Sequence, residues 1–265
     1  MYRFTLSAIS CAAMALAQST PARYNIPLSD PARPARVHIE MLSGSVHVGT
    51  HTGKDVILEV TTTPGKERGP DSKGLRRVEI AGAGLEATEK NNLVHIESGQ
   101  QHGAVNLNVL VPESSSVKAE LVQSGDLRIE GVQGNIEAEN VNGKVILTDV
   151  AGAVVAESVN GGISVSFTRV PSDKPMSFTT VNGAIDVTMP ADTKATVKLR
   201  TENGSVYTDF DLALQPGQVV SSPGGRDKHG NFKITMEHAA KGTINGGGVE
   251  MRLESVNGSL TLKKK

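Results

Sequence analysis

A glycine recurs about every nine residues, and an Asn-Gly pair about every eighteen, in the middle of this chain. The stretch 141–165, VNGKVILTDVAGAVVAESVNGGISV, contains two such pairs at 142–143 and 160–161, and Gly134 and Gly152 lie midway between corners of this kind. Glycine accepts the positive φ of a sharp turn, and asparagine tolerates it or bonds its own backbone. The spacing therefore predicts regular turns, with two short strands in each unit of eighteen residues.

Apolar and polar residues alternate with period two on both sides of these corners. If the Asn of each corner, or the Ser that replaces it, is position zero, the apolar residues at plus three are Val46, Leu127, Val145, Ile163, Ile185, Val206 and Leu260. Such alternation points one set of side chains inward and the other outward along a β-strand, and no window of eleven or more residues shows a helical period. The sequence therefore predicts an all-β protein, with an irregular start to the array at Ser124, where the upstream pattern departs.

Equivalent positions repeat at every second strand, which favours one coil per unit and parallel pairing between coils. The corners from 124 to 203 are 18, 18, 22 and 21 residues apart. We therefore predict a single-stranded right-handed parallel β-solenoid (β-helix-like) with coils of about 18–22 residues. The alternative is an antiparallel β-sandwich, because hairpins use Asn-Gly in the same way. In the solenoid Val145 neighbours Ile163, and Ile163 neighbours Ile185.

The same prediction gives the corner residues a structural role. Stacked at about 4.8 Å, their amides form a hydrogen-bonded ladder. The expected turn column consists of Asn142, Gly143, Asn160, Gly161, Asn182, Gly183, Asn203, Gly204, Asn257 and Gly258.

Residues 1–17, MYRFTLSAISCAAMALA, have the features of a signal peptide. Arg3 provides the positive start, an apolar stretch follows, and Ala15-Leu16-Ala17 matches an A-x-A cleavage site. The polar QSTPARYN follows too soon for a membrane span of about 20 residues. A lipoprotein cleaved before Cys11 is the alternative, but the preceding tripeptide, Ala-Ile-Ser, matches its signal poorly.

The rest of the chain divides into a Pro-rich linker, 18–36, and a single all-β repeat domain, 37–265. Cleavage after residue 17 leaves no cysteine and no integral membrane segment. We therefore expect a periplasmic or secreted protein.

Composition and motifs exclude several classes of chemistry. Lys and Arg number 27 against 28 Asp and Glu, which gives no reason to expect nucleic acid as a partner. The turns lack the recurring Asp of calcium-binding nonapeptide repeats. His38, His47 and His51 lie close in sequence and suggest zinc, but outward histidines on a sheet are ordinarily solvated. The sequence therefore predicts no metal and no cofactor.

Nothing in the sequence indicates a catalytic residue either. Lysines and serines, rather than further carboxylates, accompany the outward carboxylates Glu137, Glu139 and Glu157 in the repeats. Tryptophan is absent. The motifs of serine hydrolases, P-loop proteins and zinc proteases are also absent.

Several stretches together resemble the bacterial "putative adhesin" family, a domain of unknown function in exported and envelope proteins. They are the repeat SGDLRIEGVQGNIEAENVNGKVILTDVAGAVVAESVNGGISV, the strand ending NVLVPES, the segment DVTMPAD, and the closing GGGVEMRLESVNGSLTL, within residues 37–262. The resemblance implies an all-β, solenoid-like fold and brings no catalytic residues.

These observations favour a non-catalytic, exported, adhesin-like or envelope scaffold protein. Its partner would be an unknown envelope or extracellular protein or glycan. The alternative is a polysaccharide-binding or polysaccharide-degrading β-helix protein of the cell envelope. A groove with two acidic groups within about 10 Å of each other, beside Tyr207 or Phe210, would favour the polysaccharide-degrading form of that alternative.

Overall fold

The computed structural model describes residues 21–64, 84–98, 103–214, 225–226, 232–233 and 238–265. Every regular element in these ranges is a β-strand, which confirms the all-β prediction. No apolar helix long enough to cross a bilayer occurs among the described residues. The predicted signal peptide, 1–17, with Cys11, lies outside them.

The strands alternate between two sheets for most of the chain. The first twelve are β1 (Ala22–Pro27), β2 (Arg36–Met41), β3 (Val46–His51), β4 (Asp55–Pro64), β5 (Leu85–Lys90), β6 (Leu93–Ser98), β7 (Gly103–Pro112), β8 (Ser116–Leu121), β9 (Leu127–Glu130), β10 (Ile136–Asn142), β11 (Val145–Val150) and β12 (Val154–Asn160). The remaining strands are β13 (Ile163–Phe167), β14 (Met176–Asn182), β15 (Ile185–Met189), β16 (Ala195–Thr201), β17 (Val206–Thr208), β18 (Leu212–Leu214), β19 (Gly225–Arg226), β20 (Phe232–Lys233), β21 (His238–Ile244), β22 (Val249–Asn257) and β23 (Leu260–Lys264).

The first sheet has ten strands in the order β1-β4-β7-β3-β9-β11-β13-β15-β23-β17. The second sheet has eleven strands in the order β18-β21-β16-β22-β14-β12-β10-β8-β2-β6-β5, and β19 pairs with β20 alone. From β8 to β15 the chain places one strand in the second sheet and the next in the first. Each pair of strands therefore forms one repeat.

Neighbouring repeats pair in parallel and in register. Val145 lies opposite Ile163, and Ile163 lies opposite Ile185, as the sequence predicts. Parallel pairing also contradicts an antiparallel sandwich for the strands from β8 to β15.

The order of the repeats in space differs from their order in the sequence at both ends. The last two strands, β22 and β23, lie between the β14–β15 repeat and the β16–β17 repeat. At the other end, β2 and β3 lie between the β6–β7 pair and the β8–β9 pair. The β2–β3 repeat and the β22–β23 repeat, which are near the ends of the chain in sequence, are therefore each paired with another repeat on both sides in space.

Antiparallel strands complete the two ends, so both sheets are mixed. β4 pairs antiparallel with β1 and β7, β5 with β6, and β21 with β16 and β18. A purely parallel solenoid does not predict these strands. β1 also lies within the stretch 18–36 that the sequence indicates as a linker.

The irregularity at Ser124 is one extra residue in the corner. Ala119, five places before Ser124, lies opposite Ala138, which is four places before Asn142. Moving the upstream register by one residue therefore restores the inward apolar pattern at Val117 and Ala119, both of which are buried.

One aliphatic core contains buried side chains from both sheets. Phe167 of β13 meets Phe178 of β14 edge to face, with ring centroids 6.5 Å apart. The inward residues of the two sheets therefore pack against each other, and the alternate residues form two outward faces.

Candidate functional site

The predicted turn asparagines lie in one column along the edge of the second sheet. The side-chain amide of Asn160 donates to Asn142 at 2.9 Å, and that of Asn182 donates to Asn160 at 3.0 Å. Asn257 then donates to Asn182, and Asn203 donates to Asn257, both at 2.8 Å. The column therefore runs in the order 142, 160, 182, 257, 203, which follows the interleaved repeats rather than the sequence.

The corner glycines form a second column, in which close approach requires glycine. A Cβ at any of the seven would lie under 3.0 Å from a backbone carbonyl of the adjacent repeat; in spatial order they are Gly44, Gly125, Gly143, Gly161, Gly183, Gly258 and Gly204. Only Gly44, Gly125 and Gly143 have a positive φ. The expectation that each corner glycine adopts a positive φ is therefore wrong for the other four. At those positions glycine is required because there is no space for a Cβ.

A buried polar residue two places before each Asn-Gly corner stabilises this stacking. Each donates from its side chain to the carbonyl of a corner glycine in the adjacent repeat: Asn140 to Gly125, Ser158 to Gly143, Thr180 to Gly161, Ser255 to Gly183 and Thr201 to Gly258, at 2.8–3.3 Å. These donors satisfy carbonyl groups that the turn leaves without a strand partner. These hydrogen bonds therefore link the corners of neighbouring repeats.

The outward face of the second sheet carries two rows of like side chains. One is the valine row, the residues that immediately precede three asparagines of the column: Val141, Val159 and Val181, which are 37–41% exposed. The other is the glutamate row, six residues paired directly across adjacent strands: Glu86, Glu97, Glu40, Glu120, Glu139 and Glu157, in spatial order. Adjacent strands are about 4.8 Å apart, so like charges lie side by side.

The charges of this row act on each other and on one lysine. Burial, and then the charge of Glu120, raise the pKa of Glu139, and Glu157 and Glu137 contribute in the same direction. The Lys118 ammonium lies 3.0 Å from Glu120 and 2.9 Å from Glu137. Its hydrogen bonds to Glu137 and Glu120 raise the pKa of Lys118, and its bond to Glu120 lowers the pKa of that carboxyl group.

Two histidines meet at the β2–β6 end of the glutamate row. His38 and His95 lie directly opposite each other, and their ring centroids are 5.0 Å apart. His38 Nε2 lies 3.3 Å from a Glu40 oxygen and 3.6 Å from a Glu120 oxygen, but it makes no hydrogen bond within the described part of the chain. His95 Nε2 lies 3.5 Å from a Glu97 oxygen.

The three histidines that the sequence groups together do not meet. His38 lies in the second sheet, whereas His47 and His51 belong to β3 of the first sheet. His47 lies 3.3 Å from Glu130, and a ring nitrogen of His51 lies 2.8 Å from the backbone oxygen of Asp55. Three imidazoles on one face are therefore not available from this set.

The first sheet has an open recess of about 220 Å³ on its outward face, where β3, β4, β7 and β9 meet. Two acidic side chains line it, but both have partners. Glu59 accepts from Asn108 at 2.8 Å, and Asp126 lies 3.2 Å from Arg128. Tyr207 lies on β17 at the opposite edge of this sheet, and Phe210 is buried. This recess therefore does not meet the geometric condition for a polysaccharide-cleaving groove.

Sequence reasoning missed the glutamate row because it depends on pairing between distant strands. Glu139 of β10 and Glu157 of β12 lie directly opposite each other, contrary to the sequence interpretation. Glu120 lies in the irregular stretch upstream of Ser124, and Glu40 and Glu97 lie 57 residues apart. The eighteen-residue spacing of Glu139 and Glu157 was the one signal available.

The fold and this face define an all-β repeat protein with stacked strand pairs and extended, charged outward surfaces. The chain belongs to the Toastrack DUF4097 family, whose model matches residues 25–261. This confirms the family resemblance found in the sequence.

Two solved structures are similar to the chain. One is a "putative cell adhesion protein" from Clostridium sporogenes, 11% identical, covering 92% of this chain and 100% of its own, with a TM-score of 0.47. The other is a "putative adhesin" from Bacteroides fragilis, 11% identical, covering 94% of this chain and 98% of its own, with a TM-score of 0.40. No curated protein matches the chain.

Proposed function

We propose that this protein is a non-catalytic, exported, adhesin-like scaffold that binds an envelope or extracellular partner through the outward face of its second sheet. The observation that carries the proposal is the repetition of identical outward side chains from one repeat to the next in the valine and glutamate rows. Like charges directly opposite each other destabilise a sheet. The fold gives no reason for this arrangement, whereas a binding surface does.

Export is supported by the sequence of residues 1–17, with its positive start, apolar stretch and A-x-A site. The exported form should begin near Gln18 by intact mass. A lipid-modified Cys11 would contradict cleavage at this site.

The proposal also includes the form of the coil. β10 and β12 are parallel neighbours in one sheet, and the chain between them passes through β11 in the other sheet. Crossover connections between parallel strands are right-handed in about 98% of cases. We therefore expect the repeats from β8 to β15 to form a right-handed parallel β-solenoid.

The binding face is tested with two matched double variants. Val159→Lys with Glu157→Lys changes the outward side of β12, whereas Ser164→Lys with Asp186→Lys changes the outward side of the first sheet. Each immobilised protein is exposed to envelope extract, and the retained proteins and glycans are identified by mass spectrometry. We expect the first variant to lose a molecule that the wild type and the second variant retain. Equal retention by both variants would contradict the assignment of the face, and a retained glycan would identify the glycan alternative.

A further inference from the structure

We propose that His38, His95 and Glu40 form a divalent metal site of the zinc type on the outward face of the second sheet. One donor atom from each of the three residues lies within 4.8 Å of the other two. Two imidazoles and one carboxylate are a recurrent ligand set of open zinc sites, in which a further position remains for water or another ligand.

The spacing of one donor pair fits the ion. Ligand atoms at about 2.0–2.1 Å from a tetrahedral zinc ion are about 3.3 Å apart. His38 Nε2 and Glu40 Oε1 are 3.3 Å apart. Both residues belong to β2, two places apart on the same face of the strand, so the backbone holds this pair in position.

His38 Nε2 is available to coordinate a metal ion. Its Nε2 atom is buried and makes no hydrogen bond, although two carboxylates lie within 3.6 Å. Metal coordination would give this atom a well-aligned partner.

The surrounding charges favour a cation at this position. The carboxylates of Glu97 and Glu120 lie next to Glu40 in the glutamate row. Lys118 lies directly opposite His38 on β8, and its ammonium is already paired with Glu120 and Glu137. The site opens to solvent, because the Glu40 side chain is 45% exposed.

The sequence predicts no metal because it offers only the group His38, His47 and His51. The site becomes visible when the register of β2 and β6 places His95 opposite His38, across 57 residues of chain. No sequence motif marks this pairing.

The experiment uses the protein without a histidine tag, stripped of metal by a chelator. Zn²⁺ is titrated by calorimetry, and Co²⁺ is added to a second sample to record its visible absorption. The variants are His38→Ala, His95→Ala and Glu40→Gln, together with the double variant His38→Ala/His95→Ala. His47→Ala is the matched control, since this histidine is also outward and also lies beside a glutamate. Circular dichroism and melting curves establish that each variant is folded.

We expect one equivalent of Zn²⁺ in the wild type and in His47→Ala, and at least about tenfold weaker binding in His38→Ala and His95→Ala. Bound Co²⁺ should give the strong visible absorption of a tetrahedral site in the wild type and in His47→Ala, and in none of the other variants. Absence of binding in the wild type overturns the proposal. So does equal binding by the double variant, which would place the ion elsewhere in the chain. These outcomes are independent of whether the face binds an envelope partner.

Discussion

Gly161 lies directly over Gly143 in the adjacent repeat, so closely that a Cβ on Gly161 would lie under 3.0 Å from the Gly143 carbonyl oxygen. Gly161→Ala must therefore separate two repeats or distort the corner. We expect a loss of about 1–3 kcal/mol or more in the free energy of unfolding, the range for overpacked interiors, measured by urea denaturation.

Gly49→Ala is the control for this prediction. A Cβ on Gly49 would meet only the end of the Leu110 side chain, at 3.1 Å, and no backbone atom closer than 4 Å. This variant should change the free energy of unfolding by less than about 1 kcal/mol, since the added Cβ also restricts the unfolded chain. Equal losses at both positions would show that the stacked carbonyls do not set the requirement for glycine.

The amide ladder predicts a dependence on position along the column. Asn160 donates to Asn142 and accepts from Asn182, whereas Asn203 lies at the end of the ladder and donates to Asn257 alone. Asn160→Ala should cost about 1 kcal/mol through two lost hydrogen bonds, and Asn203→Ala about half as much. Thermal denaturation of the two variants is the measurement. A larger loss at Asn203 would contradict a continuous ladder.

The local part of this fold could be predicted from the sequence because its causes are local. Alternation around Asn142 and Asn160 gives the inward and outward residues, and their spacing gives the length of a repeat. Pairing of Val145 with Ile163 follows from that length alone. The family resemblance could be found for the same reason, because it depends on the repeated corners.

The order of the terminal repeats could not be predicted in this way. Asn257 has the same local pattern as Asn203, so the sequence gives no reason to place it between Asn203 and Asn182. That order depends on long connections and on pairing between distant strands. The His38–His95 pair and the glutamate row depend on the same distant pairings, and so the candidate site could not be predicted either.

Two glutamates that lie opposite each other in the glutamate row, Glu139 and Glu120, should have effects of opposite sign on stability. The folded state raises the pKa of Glu139, mainly through burial and then Glu120, so ionised Glu139 destabilises the fold above that pKa. This destabilisation disappears as the pH falls through the raised pKa towards the unfolded value of about 4.5. Glu139→Gln should therefore be more stable than the wild type at pH 7, and the gain should diminish towards about pH 4.

The pKa of Glu120 is shifted in the opposite direction to that of Glu139. Its hydrogen bond to Lys118 lowers its pKa in the folded state, so its ionised form stabilises the fold above the unfolded pKa. That stability is lost as the pH falls through the lowered pKa, so Glu120→Gln should be less stable than the wild type at pH 7, and the difference should diminish as the pH falls below about 4.5. Urea denaturation at several pH values measures both variants. The same sign of effect at the two positions would contradict the charge arrangement.

The interleaved repeats predict that the last strands of the chain are among the most protected. β22 pairs in parallel with β14 on one side and β16 on the other, and its inward residues Met251 and Leu253 are fully buried. A strand at the end of a simple solenoid would instead have one free side and would open easily. Hydrogen exchange followed by mass spectrometry should therefore show amides of β22 exchanging as slowly as those of β14, and more slowly than those of the edge strand β18.

Two deletions test the same arrangement by stability. Removing 249–265 takes away the parallel partners of β16 and β17, so β16, β17 and β21 should become sensitive to protease. Removing 21–27 takes away only β1, an edge strand that pairs with β4 and is largely exposed, and should leave the rest of the chain resistant. If β16 keeps its protection without 249–265, the last repeat is a dispensable cap and the interleaved order does not hold the C-terminal part together.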